Sequence, residues 1–424
     1  MKHCHFQALL GASAQRLWLI GQIDHLNMSY TFKIGILIFN TALIACSDGL
    51  DFKKVQTPAA NDAMASNLSL MGEHFALSWI EPNNGQESQF YFAQWDGSGF
   101  EGKKLIAASE RMFSNWADIP SIVEAKNGDL YAHWLERISS KQYAYGVRIE
   151  LSSDRGKMWT PMGWLHDDES ETEHGFVSLV PDGASVRAFW LDGRKMTKPS
   201  GKMGLLTAIL EGNEIKGERI LDQNVCTCCP TSAVQLTDGP MVVYRDRSSE
   251  EIRDFSFVTD LEQGWSEPEK IAEDNWLMPG CPVNGSSIAS SGDLVAISRF
   301  TVIQGKPQVI LQIYKQGQPN VRKNLVLDKN APIGRCSTVC SKDAIYTIWI
   351  GKDKKQTVLR MAEVSPDGKV RRQEILSSID AVFSSGMPRS VLSGGHVWVS
   401  WTDSNRIQLG RFKVSLPHES SAKY

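Results

Sequence analysis

Three observations in this 424-residue sequence predict an all-β propeller of four-stranded blades. An alternating apolar strand ending in an aromatic residue or its equivalent recurs at steps of roughly 50 to 56 residues. A short strand and a Gly/Asp turn precede each copy, and two further strands follow it, giving four strands per repeat. Thirteen tryptophans, 34 glycines and 17 prolines suit short strands among many turns, and no stretch keeps a helical period.

The copies run in order: FALSW to Trp79, LYAHW to Trp134, VRAFW to Trp190, MVVY to Tyr244, LVAISR to Arg299, AIYTIW to Trp349 and VWVSW to Trp401. Seven copies imply seven blades, with six as the alternative if one copy is a decoration. After Trp401 only RIQLGRFKVS remains before a polar tail at 414–424. The outer strand of the last blade is therefore expected from the amino end, where DFKKVQTPAA precedes the first inner strand, NLSLM. That closure joins the ends of the ring and leaves no open edge. A single propeller domain is expected over 46–413.

Composition bounds the function classes. Hydrophobic residues are 42% and charged residues 22% of the chain, which excludes a disordered tail, a collagen-like chain and a multi-span membrane protein. A net charge of −3 argues against a nucleic-acid partner, and the chain is read as a monomer.

Residues 28–45 read as a signal peptide: Lys33 supplies a positive start, and Ile34 to Ala45 form an apolar run too short to span a bilayer. The run ends in Leu43-Ile44-Ala45-Cys46, which resembles the bacterial lipobox. That resemblance implies a lipid on Cys46 and a protein of the cell envelope, in the outer membrane or periplasm, touching membrane through the lipid alone. Ser47 after the cysteine favours the outer membrane on the same resemblance. Residues 1–27 fit no part of this pattern and are read as an upstream extension, with Met28 as the start. Disulfides are permitted in such a compartment.

Ser152-Ser153-Asp154-Arg155-Gly156-Lys157-Met158-Trp159 matches S-x-D-x-G-x-x-W and falls between the third and fourth strands of its repeat. It resembles the Asp box of the sialidase superfamily, as does the repeat framework over about the whole of 46–413. These residues are read as a folding turn, Asp154 accepting bonds from turn N–H groups and Trp159 packing between strands. The wider set of motifs resembles exported bacterial propellers with BNR repeats.

Strand polarity decides which loops share a face. Loops entering the inner strands and loops between second and third strands open together, and most of the chemically rich segments fall in them. Arg194, Arg245, Arg247, Arg253, Arg299, Arg335 and Arg389 are expected to ring a central funnel and to grip a carboxylate, sulfate or phosphate. The superfamily resemblance implies three arginines on a substrate carboxylate. Its early arginine motif is missing, however, since that position reads Asn115-Trp116-Ala117-Asp118-Ile119-Pro120.

Glycoside hydrolysis needs an acid and a second carboxylate or an activated tyrosine. Asp118, Glu173 and Asp246 are the catalytic candidates, Asp118 or Glu173 being the proton donor, with Asp192 and Asp254 in reserve and Tyr244 and Tyr143 as phenols. Cys226, Cys228, Cys229 and Cys281 lie in neighbouring entering loops, with His174 one blade earlier. Two readings stay open: two disulfides, or a Cu or Zn site that includes His174. Cys336 and Cys340 are read as small core residues of an inner strand.

The functional expectation is an exported sialidase-like propeller, a glycosidase of exo-α-sialidase type if an enzyme, taking an acidic sugar or other small anion. The alternative is a metal-binding or a non-catalytic binding propeller.

Overall fold

The computed structural model describes residues 50–83, 86–198, 200–380 and 385–414. The signal peptide, Cys46, residues 1–27 and the tail beyond 414 lie outside them. Seven antiparallel sheets follow one another along the chain. Blades 1 to 6 occupy 64–109, 121–164, 174–225, 232–270, 287–328 and 334–379. Blade 7 combines Arg389–Ser393, His396–Asp403 and Arg406–Lys413 with an outer strand from the amino side, Lys53–Val55, which pairs with Arg406–Lys413. The seven-blade count and the amino-terminal closure are as the repeat predicts.

Closure depends on one small residue. A β-carbon on Gly410 would collide with the Phe52 ring, which packs instead between Trp401 at 5.9 Å and Phe412 at 6.4 Å. One blade departs from four strands: in blade 4 the third strand pairs first with Gly264–Trp265 and then with Glu269–Lys270. Pro268 between them has no N–H to give to the ladder.

The repeated aromatic position lies in the second strand of every blade and is buried, each large ring stabilising the fold by on the order of 3 kcal/mol. Its polar tip finds a carboxylate in six blades. Trp79 Nε1 donates to Glu81, Trp134 to Glu150, Trp190 to Asp192 and Trp349 to Asp328. The Tyr244 hydroxyl donates to Asp222, and Arg299 donates twice to Asp274, at 3.0 and 3.1 Å. In blades 4 to 6 the carboxylate comes from the end of the preceding blade or the crossing that follows it, so this bond ties neighbours together.

The turn at 152–159 behaves as a folding turn. Asp154 Oδ1 accepts from the N–H groups of Lys157 and Met158 and from the Ser152 hydroxyl, all at 2.9 Å. Trp159 meets Phe92 of blade 1 edge-on at 5.9 Å.

Inner strands surround the axis, where a cavity of about 250 Å³ takes at least one polar residue from each blade, among them Asn67, Ser121, Ser178, Ser232, Ser287, Ser337 and Ser390. Three inner strands begin with a bulge, at Ala65, Phe176 and Arg335, each with φ near +55°. These bulges turn backbone N–H groups out of the ladder. Two of the freed N–H groups, those of Phe176 and Arg335, donate to side chains of neighbouring loops, Asp118 and Asn284.

Candidate functional site

The site is built from the loop entering blade 2. Asn115 Oδ1 accepts the N–H groups of Ala117 and Asp118, a local turn that fixes where Asp118 points. Asp118 Oδ1 then accepts the bulged Phe176 N–H of blade 3 at 2.8 Å. Its other oxygen, Oδ2, is buried without a hydrogen-bond partner. A β-carbon on Gly175 would collide with that oxygen and press on the Tyr145 ring at 3.1 Å. Glycine at 175 therefore lets the acid and the phenol lie against the same stretch of backbone. Tyr145 opens the third strand of blade 2, and its hydroxyl donates to Glu173 Oε1.

Asp118, Tyr145 and Glu173 thus form one cluster, with Glu173 its half-exposed member. Burial dominates the electrostatics. It pushes the Asp118 carboxyl up to about 8, with the Glu173 charge adding to the rise and the Phe176 N–H and Arg389 opposing it. Burial likewise pushes Glu173 up to about 7 against the lowering effect of the Tyr145 hydroxyl. The Tyr145 phenol is raised by burial and by both carboxylates. Arg389 lines the axial cavity, and burial lowers it to about 10 while Asp118 pulls it back up. His133, which shares a 3.0 Å hydrogen bond with Ser121, is held neutral by burial at about 3.

The third expected acid does not join them. Asp246 accepts from the Arg247 N–H and the Ser256 hydroxyl, and its charged neighbours are Asp222 and Lys270. Asp192 and Asp254 are spent on Trp190 and Arg194, and on the N–H groups of Asn275 and Trp276. Of the two phenols singled out by sequence, Tyr143 is exposed and Tyr244 serves Asp222. Tyr145, two residues beyond Tyr143, is the phenol that sequence reasoning missed. The signal for it was its place at the start of a third strand, on the same face as the entering loops.

The expected ring of seven arginines resolves into different roles. Arg245 is buried between the rings of Phe255 and Trp276, at 3.9 and 4.8 Å, and donates to the carbonyls of Asn284, Arg253 and Phe300. It staples blade 4 to blade 5 and has no donor turned to a funnel. Arg299 fills the aromatic position and is held by Asp274. Arg194 is caged by Asp192, Asp167 and Glu218, and Arg247 is paired with Glu251. Arg253 is buried against Glu251 and Cys226. Arg335 stacks on Trp116 at 4.1 Å and donates to Gly386 O, while its bulged N–H donates to Asn284. Arg389 is the member that lines the cavity.

The six described cysteines are free. Cys226 Sγ lies 3.6 Å from Cys229 and 3.9 Å from Cys228, and Cys281 Sγ is 3.8 Å from the Thr227 hydroxyl. His174 is not with them. Its ring stacks on His166 at 3.9 Å, Nδ1 faces Thr172 O, and Nε2 lies 3.0 Å from Asp168 and 3.7 Å from Asp192. The acids of its own blade hold it instead. Cys336 and Cys340 sit on the inner strand of blade 6, as expected.

No family model matches the chain, and no curated protein matches it. Among solved structures it is similar to the α-L-arabinanase of Penicillium chrysogenum complexed with arabinobiose, at 9% identity and a TM-score of 0.46 over 85% of this chain and 96% of that one. It is also similar to the GH93 α-L-arabinofuranosidase of Fusarium graminearum in complex with arabinobiose, at 10% identity and 0.44 over 85% and 96%. A third likeness is to the β-propeller domain of the Trilobed protease from Pyrococcus furiosus, at 11% identity and 0.47 over 83% and 96%.

Proposed function

We propose that this propeller is a glycosidase-like hydrolase that takes a sugar with an acidic group at the channel mouth. The observation that carries the reading is the cluster of Asp118, Tyr145 and Glu173 around Gly175, in which burial holds a proton on Asp118 up to about 8 while Glu173 gives up its own at about 7. An acid that keeps its proton at neutral pH can give it to a leaving oxygen, and a phenol bonded to a carboxylate can lose its proton to that carboxylate.

In this scheme Asp118 Oδ2, free of other bonds, passes its proton to the glycosidic oxygen as the bond to the anomeric carbon breaks. The Tyr145 oxygen bonds to that carbon while its proton moves to Glu173. Water then attacks the same carbon, giving one proton to Asp118, and Glu173 returns its proton to the released phenolate. Asp118 and Tyr145 are covered in the free protein, so the 115–120 loop has to part for substrate. Arg389, lining the cavity and close enough to Asp118 to feel its charge, receives the acidic group. The lipobox-like Cys46 belongs to the same proposal, placing the enzyme at the cell envelope.

The test is a panel of aryl glycosides: α-sialosides, hexuronides and neutral arabinofuranosides. An acidic member should be hydrolysed by the wild type, and Asp118→Asn and Tyr145→Phe should each lose on the order of 100-fold or more in kcat. Equal rates on neutral and acidic sugars would remove Arg389 from its role. Turnover that survives both substitutions would remove the mechanism.

A further inference from the structure

The loops entering blades 4 and 5 bring together four thiols that the acid cluster does not use. Cys226, Cys228 and Cys229 have their sulfurs within 4.8 Å of one another. The two shortest separations, 3.6 and 3.9 Å, bracket the roughly 3.8 Å edge of a thiolate set held about 2.3 Å from one metal ion. They are far from the covalent S–S length of about 2.05 Å.

The backbone prepares this arrangement. The Cys226 N–H donates to Arg245 O at 2.9 Å, which pins the start of the loop to the staple between blades. Pro230 ends it. Cys226 and Cys229 are buried, Cys228 is half-buried, and exposed Cys281 lies beside Cys228 at the open side. The Arg253 guanidinium is buried against Cys226, where it offsets the negative charge that three thiolates leave around one cation.

We infer that Cys226, Cys228 and Cys229 form a three-thiolate site for one thiophilic ion, Cu(I) or Zn(II), with Cys281 as a fourth thiol at its open side. Binding converts the thiols to thiolates and releases their protons to solvent, with no change of oxidation state. Sulfur donors select these ions over Mg and Ca. The inference does not rest on the glycosidase reading, since Asp118, Tyr145 and Glu173 are not among the ligands, although Cys226 and Cys281 lie close enough to Glu173 for their charge to act on it.

The test uses the full chain, reduced and metal-free under anaerobic conditions. It is titrated with Cu(I) against a chromophoric competitor and, separately, with Zn(II). One ion per chain, three thiols shielded from a thiol reagent and near-ultraviolet thiolate-to-copper absorption are expected with Cu(I). Shielding with Zn(II) alone supports the site and assigns the ion. Cys228→Ser, at a half-buried loop position, should weaken binding on the order of 100-fold, and Cys229→Ser likewise, while Cys336→Ser on the inner strand binds as the wild type does. Circular dichroism identifies any variant that has failed to fold. Failure of the folded wild type to bind either ion, or wild-type affinity in both loop variants, overturns the site.

Discussion

Replacing Asp118 by Asn should make the protein more stable and less active. In the folded chain this carboxyl is raised to about 8 from 3.8, so the folded state keeps a proton that the unfolded chain gives up. A group shifted this way contributes its full stability below its unfolded value and loses it progressively as the pH rises toward the folded value. Between pH 4 and 8 the wild type therefore loses about 1.4 kcal/mol per pH unit through Asp118. Asn has no proton to lose. Its oxygen can still accept the Phe176 N–H, and its amide occupies the place of Oδ2. The advantage of the Asp118→Asn variant over the wild type should then grow by about 3 kcal/mol between pH 5 and pH 7. Glu173 shifts in the same direction in both proteins and largely cancels in the comparison. Urea unfolding of the two proteins across this range measures the difference. Parallel stability profiles, within about 0.5 kcal/mol, would refute the argument that burial holds a proton on Asp118.

Gly175→Ala drives a β-carbon into Asp118 Oδ2 and should cost more than about 2 kcal/mol in urea unfolding and abolish turnover, whereas Gly102→Ala, with open space around it, stays within about 0.5 kcal/mol. Arg245→Lys cannot reach the three carbonyls held by the guanidinium and should cost about 3 kcal/mol in the same assay. Arg389→Lys should instead raise KM for an acidic glycoside. Asp154→Ala removes the acceptor of the 152–159 turn and should lower the thermal midpoint without changing kcat.

The ring was legible because its repeat is written in strands that must bury one face. Seven aromatic-type positions fix seven second strands, and one missing outer strand requires closure from Lys53–Val55. The roles of the arginines were not legible as site chemistry. Arg299 was expected in the funnel, yet it stands where other blades have a ring and is held there by Asp274. Its partner Asp274 precedes it by 25 residues, where Asp222 and Asp328 precede Tyr244 and Trp349 of the adjoining blades by 22 and 21. Arg245 follows Tyr244 directly, but its burial depends on Trp276 and Asn284 from the crossing to the next blade, which no local pattern reports. The pairing of Tyr145 with Glu173 depends in the same way on two blades meeting across Gly175.

The most direct test of the central claim is the identity of the residue that becomes glycosylated. A fluoro-substituted aryl glycoside of the hydrolysed class slows breakdown of the sugar–enzyme bond, so the adduct can be digested and read by mass spectrometry. The sugar is expected on Tyr145, in the wild type and not in Tyr145→Phe. An adduct on Glu173, or turnover of the parent glycoside with no adduct on any residue, would contradict it.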